Sequence, residues 1–275
     1  MGILMPNMKW PSDMSHFDLK TLLEICECGD AVADFELANR YLVGRGVRKN
    51  RPKAFGLYLK ASQDPDNHLF GFVHEALGDC HYYGLGTSVD EKAAFACYLK
   101  GAHCHYVKSI FSVGIAYLKG FGTRIDLLKA IEYLEKASIL YYEEAEYELG
   151  CILLNAGRFH DMRKGEALIT RAAFQGHAAA QERKARLISA MALAESSIDL
   201  SRELYCEAYA WLNLASAGNP RYAEYRDIFM VEDQTWLLRG QMISREIEQK
   251  IRKRTRYDYP KTPSELTGLY TSDNV

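Results

Sequence analysis

The sequence predicts an all-α protein in which antiparallel helix pairs stack into a solenoid. Two ladders of residues predict it. In the first, a leucine-like residue and a small one are followed by an aromatic and then a glycine turn. Its small residues Ala38, Gly78, Gly114 and Gly150 stand 40, 36 and 36 positions apart. The second ladder follows each copy in step: Ala54 with Tyr58, Lys60 and Ala61, then Ala94 with Tyr98, Lys100 and Gly101. It continues as Ala130 with Leu134, Lys136 and Ala137, and as Gly165 with Ile169, Arg171 and Ala172. Two ladders in register over four units mark a repeat array, in which each unit buries its apolar face only on its neighbours.

Along the chain, Asp18 to Cys28 reads as a helix covering the first unit, within a leader and cap spanning 1–28. The array follows over 29–230, about five units. Its first helices end at Gly44-Arg45-Gly46, Gly84-Leu85-Gly86 and Gly120-Phe121-Gly122, preceded by Tyr41, His81 and Tyr117. Glycine there can adopt positive φ, ending one helix and reversing the chain. The small ladder residues let two helix backbones approach, and the residues one turn away fill the space beside them. Lys60, Lys100 and Lys136 fall late in each second helix, where a cation opposes the macrodipole. The fourth unit keeps Leu149-Gly150 and Leu153 but only Ala156-Gly157 as a turn. The fifth, from Gly176, has no glycine turn and carries an apparent insertion at Ser196 to Ser201. Residues 231–256 read as an amphipathic capping helix with Trp236, Leu237, Met242, Ile243, Ile247 and Ile251 on its apolar side. Residues 257–275, with two prolines, read as an extended tail.

These stretches resemble the Sel1-like repeat, a relative of the tetratricopeptide repeat. The residues that carry the likeness are AdfeLAnrYlvGrGV with KAfgLYlKA, heALGdchYYGlGT with AAfaCYLKGA, and SVGIAYLKGFGT with KAIEYLEKAS. EAYAWLNLASAGN followed by AEYRDIF looks like a last unit and closing helix. The resemblance implies a right-handed α-solenoid that works as a non-catalytic scaffold or adaptor for a protein partner. It also brings a more specific alternative, an immunity protein that neutralises a cognate secreted toxin. The sequence names neither the partner nor its pathway, and a signalling protein fits as well as an effector.

Composition narrows the remaining classes. Thirty-four basic and 36 acidic residues leave a net charge of -2, so no field over the whole surface draws nucleic acid. No apolar run approaches the roughly 18 residues of a membrane span. The first residues, MGILMPNMKWPSDMSH, lack a basic start and an apolar core, so no signal peptide is expected. Seven scattered cysteines read as free thiols of a reducing compartment, the cytoplasm.

Chemical sites are few. His103-Cys104-His105, near Cys80, His81 and Cys97, is the nearest approach to a metal cluster, but adjacent residues point apart. His74-Glu75 opens like H-E-x-x-H and fails at Gly78, and no nucleophile elbow or Walker loop is present. Asp64-Pro65-Asp66-Asn67 has turn chemistry. The run Lys250, Arg252, Lys253, Arg254 and Arg256 is favourably placed at a helix C-terminus. No metal, cofactor or catalytic residue is therefore expected, and a hydrolase around His74, Cys80 and His81 is the weakest alternative. For a partner, the concave face of the first helices is the expected surface. Counting 100° per residue from the small ladder places Phe35, Glu36 and Asn39 there, then Glu75, Asp79 and Tyr83. Phe111, Ser112 and Ile115 follow, then Tyr147, Glu148 and Cys151. Aromatics among carboxylates on such a face suit a partner with apolar anchors and basic residues.

Overall fold

A computed structural model of the chain describes residues 17–63, 70–155, 157–228 and 234–257. The expected leader, most of the tail and Asp64 to Asn67 lie outside the described residues. Every regular element among the described residues is helical, and the chain divides after Leu140 into two units.

Unit 1 contains α1 (Leu19–Glu27), α2 (Ala31–Val43), α3 (Arg51–Ala61), α4 (Phe70–Tyr83), α5 (Glu91–His103), α6 (Val107–Lys119) and α7 (Leu127–Ile139). The hairpins α2–α3, α4–α5 and α6–α7 are three repeats, and each leans on the next through α3–α4 and α5–α6. The small ladder is what closes each hairpin. A Cβ at Gly78 would collide with the ring of Tyr98, and one at Gly114 would lie 3.1 Å from Leu134 Cγ. Ala38 and Tyr58 are fully buried in one cluster. The two ladders of the sequence are thus the two sides of one interface.

The turns repeat as closely. Gly44 and Gly120 cap α2 and α6 in the left-handed region, at φ 88° and 81°. The second glycine of each turn has a different reason. A Cβ at Gly86 would strike the carbonyl of Arg51, and one at Gly122 that of Glu91, so each turn presses on the start of the previous repeat's second helix. Gly46, in the first of the three repeats, has nothing within 4 Å among the described residues. Asn50, Asp90 and Asp126 cap the second helices through their side chains. Their own N–H groups donate to the carbonyls of Tyr41, His81 and Tyr117, each at 2.9 Å.

Unit 2 contains α8 (Glu143–Leu154), α9 (Met162–Gln175), α10 (Ala178–Ala194), α11 (Ile198–Gly218), a single 3-10 turn at Pro220–Tyr222, α12 (Ala223–Ile228) and α13 (Gln234–Tyr257). α8–α9 repeats the hairpin of unit 1: a Cβ at Gly150 would lie 2.9 Å from Ile169 Cγ1. The expected insertion at Ser196 to Ser201 is not a loop. α10 and α11 are simply longer, and the turn between them is three residues. Ser197 caps α11 by accepting from Leu200 N at 3.5 Å, which starts the helix inside the presumed insertion. α13 packs on α11 and α9 with Ile243, Ile247 and Ile251 against the Trp211 core.

Candidate functional site

α2 and α4 share one burial pattern, position for position, and α6 departs from it only at Phe111, which is half-buried. Leaving aside Tyr41, Leu42 and their counterparts, the same positions of all three helices stay partly exposed, the last of each set at the helix end beside the turn. They are Val32, Glu36, Asn39 and Val43 on α2, and Phe72, Ala76, Asp79 and Tyr83 on α4. On α6 they are Lys108, Ser112, Ile115 and Lys119. Steps of four, three and four residues keep each set on one side of its helix.

Of the residues expected on this face, Glu36, Asn39, Asp79, Tyr83 and Ile115 lie on the stripe, and Tyr83 is 64% exposed. Phe35 and Glu75 do not. They are only 7% and 3% exposed, because the position three before the small residue turns into the packing between helices. The Phe35 ring stands 5.6 Å from that of Tyr58. Glu75 points at α6. Phe111, at the same register, is half-buried beside the stripe. Tyr147 and Glu148 belong to unit 2, where both are half-buried and the Tyr147 ring lies 4.7 Å from that of His177.

The expected acidic bias is corrected by the ion pairs. Glu36 pairs with Arg40 at 3.0 Å and with Arg45. Glu75 accepts from Ser109 at 2.6 Å and Ser112 at 3.0 Å, and Lys108 lies 3.2 Å away. Lys108 also reaches Asp79 at 3.0 Å, and Asp79 accepts the hydroxyl of Tyr98 at 2.9 Å. Burial pushes the Glu75 carboxyl above the usual carboxylate range, against the pull of Lys108. Burial works to lower the Lys108 ammonium, but Glu75 and Asp79 outweigh it and hold the pKa above the ordinary lysine value. One lysine thus ties α4 to α6 while two carboxylates neutralise it. The face is a fixed mixture of apolar and internally paired polar groups, with little free negative charge.

The histidines and cysteines do not converge. Burial, then the Asp79 charge, pushes the Cys80 thiol up to about 12, the reverse of an activated nucleophile. The His81 ring sits edge-on to Phe55 at 5.3 Å, in the core position that Tyr41 and Tyr117 hold in the neighbouring repeats. His105, at φ 57°, is the left-handed residue of the α5–α6 turn, and Cys104 caps α5. Among the described residues no three His, Cys, Asp or Glu side chains are grouped to hold a metal. No helix among them is long and apolar enough to cross a membrane.

The Sel1 repeat family matches residues 31–66, 74–106, 107–141 and 143–177, which are the hairpins α2–α3, α4–α5, α6–α7 and α8–α9. The chain belongs to the Sel1 repeat family. The match counts four Sel1 repeats; the expected fifth unit, α10–α11, lies beyond them, as its lengthened helices and lost glycine turn explain. A Sel1 repeat protein from Oxalobacter formigenes superposes with a TM-score of 0.66 at 20% identity, over 83% of this chain and 92% of that one. A protective antigen of uropathogenic Escherichia coli with the same fold superposes at 0.57 and 15% identity, over 88% and 67%. Both establish the α-solenoid fold. An immunity protein from Pseudomonas aeruginosa matches at 0.45 and 20% identity over 72% and 73%, too loosely to carry an argument. Sel1 repeats are in general protein-interaction scaffolds.

Sequence reasoning missed the helix caps and the Lys108 bridge. The caps were readable, since Asn50, Asp90, Asp126 and Asp161 recur at the repeat spacing. No local signal links Lys108 to a glutamate 33 residues earlier.

Proposed function

We propose that this Sel1 repeat protein is a non-catalytic scaffold and that unit 1 holds a protein partner on the open stripe of α2, α4 and α6. The observation that carries the reading is the recurrence of one half-exposed pattern on the first helices of three successive repeats, with Tyr83 standing out of it. A tyrosine on a fixed surface gives a large contact area for little lost conformational freedom. The Lys108 bridge and the Tyr58 hydroxyl, which donates to Asn39 at 2.6 Å, hold the surrounding polar groups in place before any partner arrives. Because Glu36, Glu75 and Asp79 are already paired, the partner needs apolar anchors for Tyr83 and Ile115 more than it needs positive charge.

A photo-crosslinking amino acid placed at Tyr83 and, separately, at Ile115 tests this in cells. Both positions should capture the same discrete protein, and Leu128, exposed on α7, should not. Equal adducts from Leu128, or none from either stripe position, would overturn the assignment.

A further inference from the structure

The turns that join the first to the second helix of each repeat form a second, chemically different surface of unit 1. Gly86 and Gly122 press on the backbone of Arg51 and Glu91, so the three turns make one continuous edge rather than three separate loops. This edge is basic. Arg48, Lys49, Arg51, Lys92 and Arg124 are exposed and make no ion pair among the described residues. The opposing carboxylates there are Asp90, Asp126 and Glu91, of which the first two accept backbone N–H groups as helix caps. The second helices also begin along this edge and turn their positive ends toward it. Such a concentration of charge stands out in a chain whose net charge is -2.

Between the cations the edge displays aliphatic side chains. Val89 is 63% and Ile125 70% exposed, each directly before the cap residue of a second helix and close to the glycine that ends the first. The pairing of the two residue types decides the occupant. A polyphosphate chain or a wholly polar acidic peptide would satisfy the cations and leave the aliphatic side chains in water. A surface that is anionic at its headgroups and apolar just beneath satisfies both. We propose that the turn edge of unit 1 is a peripheral docking site for an anionic lipid bilayer.

Co-sedimentation of the full chain with vesicles tests it. Vesicles of equal parts phosphatidylglycerol and phosphatidylcholine should bind the protein, and pure phosphatidylcholine should not. Binding should fade as salt rises to about 0.5 M, where charges are screened within a few ångströms. The triple reversal Arg48→Glu, Lys49→Glu, Arg124→Glu should weaken partitioning about tenfold or more. Val89→Ser with Ile125→Ser should weaken it severalfold without changing the salt dependence. Lys250→Glu with Arg252→Glu, on the basic end of α13, should leave it unchanged. All these positions are exposed, and circular dichroism checks each fold. The proposal is overturned if the wild-type chain ignores the anionic vesicles, or if the triple reversal binds them as well. It is equally overturned if the α13 pair is what abolishes binding. Loss of vesicle binding to polyglutamate or RNA, with no effect of the serine pair, would assign the edge to an acidic macromolecule instead.

Discussion

Replacing His74 with phenylalanine should make the protein markedly less sensitive to mild acid. The His74 ring is 3% exposed, stands edge-on to Phe70 at 4.2 Å, and has no hydrogen-bond partner for either nitrogen among the described residues. Burial, helped by the charge of Lys100, pushes its pKa down to about 4. An unfolded chain would protonate the same imidazole near 6.5. Since the folded value is the lower one, the stability this neutral ring allows is complete above pH 6.5 and is lost as pH falls toward 4. At 1.36 kcal/mol per unit, the loss between pH 7 and pH 5 comes to roughly 1.8 kcal/mol. His74→Phe should be near neutral or mildly stabilising at pH 7, because it trades an unpaired polar ring for an apolar one of similar shape. Its advantage should then grow by that amount at pH 5. Glu143 and Glu146, both pushed up to about 7 by burial, act in the opposite sense, but they are common to both proteins and cancel in the comparison. Urea unfolding followed by circular dichroism at the two pH values measures the difference. Hydrogen exchange in α4 and α5 assigns it to unit 1, and proton NMR follows the imidazole directly. Parallel pH dependence in the two proteins, or a His74 titration near 6.5, would refute the reasoning.

Gly78→Ala should destabilise by about 2 kcal/mol, as the added methyl forces the Tyr98 ring and α5 outward. Gly56→Ala, on α3 with open space around it, should instead stabilise by about 0.5 to 1 kcal/mol; thermal melts of both test the contrast. Lys108→Met should cost about 3 kcal/mol at pH 7 by leaving Glu75 buried without its counter-ion. Lowering the pH should soften that loss as Glu75 takes up a proton, and adding Glu75→Gln should recover most of it; urea curves of the single and double variants decide. Asp90→Ala should cost about 1 kcal/mol, since Asp90 caps α5 by accepting from Ala93 N at 3.0 Å. Equal melting temperatures for this variant and the wild type would remove the caps from the account of the repeat.

The repeat was legible because its strongest constraint is a close contact that tolerates few residue types. Alanine at 38 and glycine at 78, 114 and 150 leave room for Tyr58, Tyr98, Leu134 and Ile169 where a larger residue does not, so the spacing shows in the letters themselves. The open face was only half legible. Helical periodicity fixes an angle from that contact, but a first helix in a stack also touches the second helix before it and the first helix after it. The arc left to solvent is narrow, and Phe35 and Glu75 fall one residue outside it. The charge of the face was read wrongly for a related reason: Arg45 and Lys108 reach its carboxylates across distances in sequence that no period encodes, although the Glu36–Arg40 pair has the ordinary i, i+4 spacing of a helix. The long hairpin α10–α11 was taken for an insertion because its turn uses Ser197 in place of glycine.

Gly46 bears on how such an array changes length. Its counterparts Gly86 and Gly122 each receive the backbone of the repeat before them, while Gly46 keeps the same left-handed φ, 70°, with nothing among the described residues seated against it. The first repeat therefore already carries the socket for a predecessor. A duplicated hairpin inserted ahead of Ala31 would find its seat ready-made, so an ancestor or descendant of this chain could gain a unit at that end without any accompanying substitution in the turn.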